Sequence, residues 1–256
     1  MKYDIDKLIA EALSGAESSL GCLLTIAEND DSSVSRILEA VSPNLGRAYR
    51  IGITGSPGSG KSTLIDKLVG IMRSKSLTVG VICVDPSSPV TGGAVLGDRI
   101  RMEQHYSDEG VFIRSMASRG NYGGISKAVG AAVDLIDASG KDVVIVETVG
   151  IGQEGIDITK IVDTTLLVLA PGWGDSMQLM KAGILEVADI IVINKADLGG
   201  DGLADSIKDI LALSTRKSVP PVIQTQALDN IGTEDLYYEL ENRRNRHHHN
   251  ASHNSH

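Results

Sequence analysis

Apolar residues in the first forty positions recur at helical spacing. Ile5, Leu8, Ile9, Ala12 and Leu13 follow i, i+3, i+4, i+7, i+8, and the spacing repeats at Leu20, Leu23, Leu24 and Ala27 and again at Val34, Ile37, Leu38 and Val41. Ser14-Gly15 and the polar stretch 29–33 separate three helices; Asp31, Ser32 and Ser33 are the expected N-caps of the third, and Pro43 and Gly46 close the section. Helices this short are marginal alone, so they must pack on one another or on the neighbouring domain. From Tyr49 the pattern changes. Short β-branched runs at 50–54, 78–84, 111–114, 142–147, 164–169, 189–193 and 222–224 alternate with helical stretches. Runs such as VVIV (143–146) and TLLVL (165–169) are apolar at consecutive positions, which fits strands covered on both faces. The expectation is an α/β fold: a mainly parallel sheet flanked by helices, preceded by a helical extension.

Composition narrows the classes. The 256 residues are 42% hydrophobic and 22% charged, ordinary for a globular chain. A net charge of −9 and only one Trp, six Tyr and one Phe argue against a nucleic-acid partner. No apolar run approaches the roughly 18–20 residues of a membrane span, and the opening MKYDIDKL lacks a signal-peptide core. Two cysteines, Cys22 and Cys83, form no framework, so a cytoplasmic setting is expected. The tail 243–256 holds three arginines, no acid and five of the six histidines; without it the charge falls to −12. It lacks apolar periodicity and is expected to be disordered. The division expected is a helical extension at 1–45, a nucleotide-binding domain at 46–242 and the tail.

Ligands of such sheets sit beyond the carboxyl ends of the strands, and the polar motifs fall there. Gly55-Ser56-Pro57-Gly58-Ser59-Gly60-Lys61-Ser62 matches G-x-x-x-x-G-K-[ST], follows the strand RIGIT and opens a helix beginning at Thr63 with Leu64, Leu68 and Ile71 in phase. Its glycines let backbone N–H groups curl around phosphates at a helix N-terminus; Lys61 reaches the β/γ-phosphates and the Ser62 hydroxyl ligates Mg²⁺. Asn194-Lys195-Ala196-Asp197 follows the strand DIIVI and matches N-K-x-D, the pattern by which Ras-like GTPases read guanine. The Asp197 carboxylate can accept from the N1–H and 2-amino group, a donor pair adenine lacks, so GTP and GDP are the expected ligands. Glu147, in Glu147-Thr148-Val149-Gly150, stands where GTPases usually carry the Asp of D-x-x-G and is expected to hold Mg²⁺ or position water. Asp85 opens a Gly/Ser/Pro-rich segment (85–98) with the character of a switch, and Asp98 is the expected second Mg²⁺ ligand. Ile151 follows Gly150 where Ras has its water-orienting glutamine; Gln153 lies nearby, and slow hydrolysis without a partner is expected. Met177 and Met180 fall in phase with Ile184 as core, Cys83 sits inside an apolar strand, His105 is isolated, and Trp173 is a candidate partner contact.

Together, GRAYRIGITGSPGSGKSTLI, VDPSSPVTGGAVLGDRIRM, SMASRGNYGG, DVVIVETVGIGQ, APGWGD and ADIIVINKADL, spanning roughly 46–198, resemble the MeaB/ArgK family, G-protein chaperones of methylmalonyl-CoA mutase. The resemblance implies a P-loop GTPase of the SIMIBI class. It also implies GTP-dependent gating of adenosylcobalamin delivery to an acyl-CoA mutase, protection of that mutase, and an adenosyltransferase as a further partner. By the same resemblance, 170–181 would be an additional switch in which Lys181 matches a family lysine and Ala182 replaces a basic residue. Gln226-Ala227-Leu228 would occupy the guanine-contacting S-A-L position, with Gln for Ser. Relatives continue into a helical arm that helps a homodimer form, whereas this chain stops soon after Leu240 and runs into its tail. The alternatives are a nickel- or cobalt-insertion metallochaperone GTPase, in which His-rich tails occur, and an amino-acid-transport kinase.

Overall fold

The computed structural model describes residues 4–29, 31–85, 99–117, 127–148, 153–172, 183–212 and 218–253. Seven strands form one sheet: β1 (Tyr49–Gly55), β2 (Val79–Asp85), β3 (Val111–Ala117), β4 (Val143–Thr148), β5 (Thr164–Leu169), β6 (Ile190–Asn194) and β7 (Val222–Thr225). Their order is β3-β2-β4-β1-β5-β6-β7 and every pairing is parallel. All seven expected strands are present. β3 runs three residues beyond the expected 111–114, because Ser115 breaks the pattern while the backbone keeps pairing with β2 up to Asp85↔Ala117.

Consecutive apolar positions are buried on opposite faces. Val144 and Val146 pack into a cluster with α1 (Ile5–Leu13), α2 (Glu17–Asn29), α3 (Asp31–Val41) and α5 (Lys127–Ala138). Val143 and Ile145 pack on the other side against α4 (Lys61–Ser74) and the last helix, α9 (Thr233–His253). A third cluster joins β5 and β6 to α7 (Ile184–Val187) and α8 (Gly200–Ala212), and α6 spans Gln153–Asp157. The periodic residues of the first three helices do what their spacing demands: Leu20, Leu23, Leu24, Ile37 and Val41 are buried, and their cluster is continuous with sheet residues. No described helix is long and apolar enough to cross a membrane.

Over the described part of the tail, 243–253, the structure shows helix where disorder was expected: α9 continues through His253, so the boundary expected after 242 falls inside a helix. Apolar periodicity was the wrong test here, because arginine contacts one and two turns back along the helix, and one to the Asp189 carbonyl, support the start of the segment. Arg243 donates to Glu239 Oε1 at 3.0 Å and to the Asp189 carbonyl at 2.8 Å, and Arg246 lies 3.4 Å from the same Glu239 oxygen.

Asp137, wholly buried on α5, fastens the link between the helical extension and β1. Its carboxylate accepts N–H bonds from Gly46 (2.8 Å), Arg47 (3.1 Å) and Ala48 (2.9 Å) and one from the Arg50 guanidinium at 2.7 Å. Burial alone would push its pKa up, but the Ala48 N–H, the Arg50 guanidinium and the Gly46 N–H outweigh it and hold the carboxyl below the usual range. A folded pKa below the unfolded one stabilises above the unfolded value, near pH 4, and that stabilisation is lost as pH falls through the folded value. Asp137→Ala is therefore expected to cost about 3 kcal/mol at pH 7, since it takes the acceptor from three N–H groups and leaves the half-buried Arg50 guanidinium with Asp134 alone. Urea titrations should show the gap between variant and wild type closing below about pH 4; a gap independent of pH would contradict the assignment.

Candidate functional site

β1 delivers the chain to the carboxyl edge of the sheet at Gly55, whose φ of +148° puts it against the Val168 carbonyl of β5. The loop then turns through Gly58 (φ +75°) and Gly60 (φ +91°) before α4 begins at Lys61. Lys61 is buried, and its ammonium group folds back to donate to the Gly55 carbonyl at 3.0 Å and the Ser56 carbonyl at 3.2 Å. A loop so tied presents its N–H groups and the start of α4 to anything bound above it. One residue on, Ser62 Oγ donates to Glu147 Oε1 at 3.1 Å, joining the first turn of α4 to the end of β4.

The second half of the site is carried by β6 and β7. Asn194 ends β6 and bonds in three directions: its amide donates to the Ser59 carbonyl at 2.8 Å, and its Oδ1 accepts from Thr225 Oγ1 at 3.1 Å and the Ala227 N–H at 3.0 Å. Lys195, left-handed at φ +58°, donates to the Gly58 carbonyl at 2.8 Å. Three stretches far apart in the chain are thereby locked into one wall.

That wall encloses a pocket of about 650 Å³. It is lined by Pro57, Gly58, Gly60, Lys61, Ser62 and Thr63 from the loop and helix, by Glu147, by Asn194, Lys195 and Asp197, and by Gln226, Ala227 and Leu228. Gly55, Ser56 and Ser59 lie outside the lining, where their backbone carbonyls tie down Lys61 and Asn194. Leu198 and Asp229 also line the pocket and were missed by the sequence reading, although Leu198 directly follows the N-K-x-D string. Leu198 and Leu228 are 66% and 79% exposed and give the lining apolar surface suited to a flat ring.

Asp85 is not part of the lining. It ends β2, buried, two residues beyond Cys83; Cys83 pairs with Glu147, so alternation places Asp85 and Glu147 on one sheet face. Asp98, Gly150, Ile151, Trp173, Met177, Met180, Lys181 and Ala182 lie outside the described residues, as does most of the 85–98 segment. Gln153 opens α6. Cys83 is buried in the sheet core, and His105 is buried with its Nε2 3.2 Å from the Asp66 carbonyl. Among the described residues no group of three His, Cys, Asp or Glu side chains is placed to hold a metal ion.

A family model described as methylmalonyl-CoA mutase-associated GTPase MeaB matches residues 20–256. The chain belongs to this family. A putative GTPase of Pyrococcus abyssi is 48% identical over 246 residues, covering 94% of this chain and 76% of that protein. GTPase ArgK of Escherichia coli is 37% identical over 239 residues, 88% of this chain and 72% of that one. Among solved structures, a LAO/AO transport system kinase superposes with a TM-score of 0.74 at 28% identity, covering 96% of this chain and 77% of that one. HypB from Helicobacter pylori in complex with nickel superposes at 0.61 with 20% identity, covering 84% of this chain and 95% of that one, a likeness of fold alone. The MeaB match extends across the histidine-bearing tail, which is thus part of the family region.

As a GTPase of the MeaB family, the chain needs Gly60 for a specific reason. A Cβ there would run into the Asn194 amide, and φ of +91° disfavours any L side chain. Gly60→Ala is expected to cost about 1–2 kcal/mol of stability and to weaken GDP binding, because it pushes apart the two halves of the site. Thermal unfolding with and without GDP measures both; wild-type values in both would contradict this account.

Proposed function

We propose that the pocket binds GTP and GDP with Mg²⁺, and that the state of the bound nucleotide gates delivery of adenosylcobalamin to a cobalamin-dependent acyl-CoA mutase of the methylmalonyl-CoA mutase type and protects that mutase. The observation that carries this reading is the match of residues 20–256 to a family described by its association with that mutase. The arrangement of the pocket supports it. Lys61, released from the Gly55 and Ser56 carbonyls, donates to the β/γ-phosphates, and the N–H groups of the loop surround them. Asp197 pairs with the guanine edge, Ala227 contributes its backbone, and Leu198 and Leu228 flank the base.

The donor set fits a hard divalent cation. Ser62 Oγ and Glu147 Oε1 are oxygen ligands 3.1 Å apart at the phosphate end, the chemistry Mg²⁺ prefers. Ser62 and Glu147 would hold it, with Asp98 as a further ligand and Asp85 supporting that side; when bound, it offsets phosphate charge. Hydrolysis is slow until the mutase completes the site. An adenosyltransferase is a second partner in the delivery, and a homodimer is the proposed assembly.

The test is retention of an acyl-CoA mutase on the immobilised chain loaded with GDP or with a non-hydrolysable GTP analogue. Retention that differs several-fold between the two states is expected, with faster GTP turnover when mutase is added. Equal absence of mutase in both states would remove the mutase reading and leave the GTPase site standing.

A further inference from the structure

The two loops that enclose the base end of the pocket are joined a second time, outside the pocket and away from Asn194. Gln224 lies on β7 opposite Ile193, one residue before the N-K-x-D string. Its amide nitrogen donates to Asp201 Oδ1 at 2.8 Å, in the first turn of α8, immediately after Gly199-Gly200. Its amide oxygen lies against Gly200, where a Cβ would stand 2.7 Å from Oε1 and 2.8 Å from the Ala196 Cβ. Its own carbonyl is approached so closely by Gly232 (φ +72°) that a side chain there would collide with it. Gly232 is the residue after Ile231, which bridges back to Gln226 with reciprocal bonds of 3.0 and 3.2 Å. Gln224 therefore touches both the segment leaving Asp197 and the segment closing Gln226–Leu228.

We infer that the Gln224–Asp201 pair is an external clamp that sets how sharply the pocket discriminates guanine from bases lacking its 2-amino group. The inference rests on the guanine reading of the pocket. Gln224 and Asp201 are positioning residues: neither lines the pocket, and both act by holding the 194–200 turn, and with it Asp197, at a fixed distance from the Ala227 backbone. A carboxylate that drifts makes one of its two bonds to guanine poorly. Affinity for guanosine then falls more than affinity for inosine, which offers only N1–H. Because the pair is solvent-exposed, the effect is modest.

The experiment measures dissociation constants of GDP and IDP for the full chain and for Gln224→Ala, Asp201→Ala, the double variant and Asp201→Asn, with thermal midpoints recorded alongside. The wild type is expected to prefer GDP. Each alanine variant should lower the IDP/GDP ratio of dissociation constants about threefold. The double variant should lower it no further than either single one, and Asp201→Asn, which keeps an acceptor oxygen, should restore it. A general loosening would raise both constants equally and leave the ratio unchanged, which would overturn the clamp, as would additive losses in the double variant. A wild type without preference for GDP over IDP would instead overturn the guanine reading itself.

Discussion

Lys61→Ala is expected to weaken binding of GTP and GDP by about 100- to 1,000-fold while leaving the chain folded. The ammonium group is buried at the base of the pocket and donates to carbonyls of its own loop, at 3.0 and 3.2 Å from Gly55 and Ser56. Moving it onto phosphate exchanges two neutral acceptors for charged ones in a partly desolvated site. Charge-assisted bonds of this kind contribute about 1.5–3 kcal/mol each, and two of them account for the expected loss. The loop does not depend on Lys61 alone, because Asn194 and Lys195 hold Ser59 and Gly58 from the other side. The thermal midpoint of the nucleotide-free protein should therefore fall by only a few degrees. Isothermal titration with GDP and a GTP analogue decides the matter: affinities within tenfold of wild type would sink the assignment of Lys61 to the phosphates.

What the chain announces locally, it announces well. The phosphate loop and the N-K-x-D string are contiguous words whose backbone requirements lie within eight and four residues. The strands are legible because two-sided burial leaves an unbroken apolar run, as in Val143–Val146. What depends on partners distant in sequence was not legible. Asp137 looks like any acidic residue near the end of a helix until Ala48, 89 positions earlier, is seen to donate to it. Asn194 reads as one letter of a base-recognition motif, yet its bonds to Ser59 and Ala227 make it the joint between the 55–62 loop and the 226–228 segment. The tail failed for a related reason. Its histidines and arginines suggest a solvated end, while its first arginine is held both by Glu239, one turn back in the same helix, and by the Asp189 carbonyl 54 residues earlier. Local periodicity cannot report a pairing made across the chain.

Asp197→Asn should act in a different way, changing which nucleotide binds rather than whether one binds. Asp197 lines the pocket in the turn that follows the left-handed Lys195. A carboxylate there accepts from both N1–H and the 2-amino group of guanine. An asparagine keeps one acceptor but turns an N–H toward the 2-amino group, donor against donor, whereas the 2-carbonyl oxygen of xanthine accepts that N–H. Sites built around a specific hydrogen-bond pair reject the analogue lacking it by about 10⁴–10⁵, so a swing of at least about 10³ from GDP toward XDP is expected. Competition between labelled GDP and unlabelled XDP, on wild type and variant, measures it directly. The two variants also check each other. Loss at Lys61 falls on every nucleotide alike because phosphate is common to all, while the change at Asp197 leaves XDP bound through an intact phosphate loop. If Asp197→Asn lost GDP without gaining XDP, the residue would be holding the 194–200 turn in shape rather than reading the base, and guanine selection would have to be sought along Gln226–Leu228.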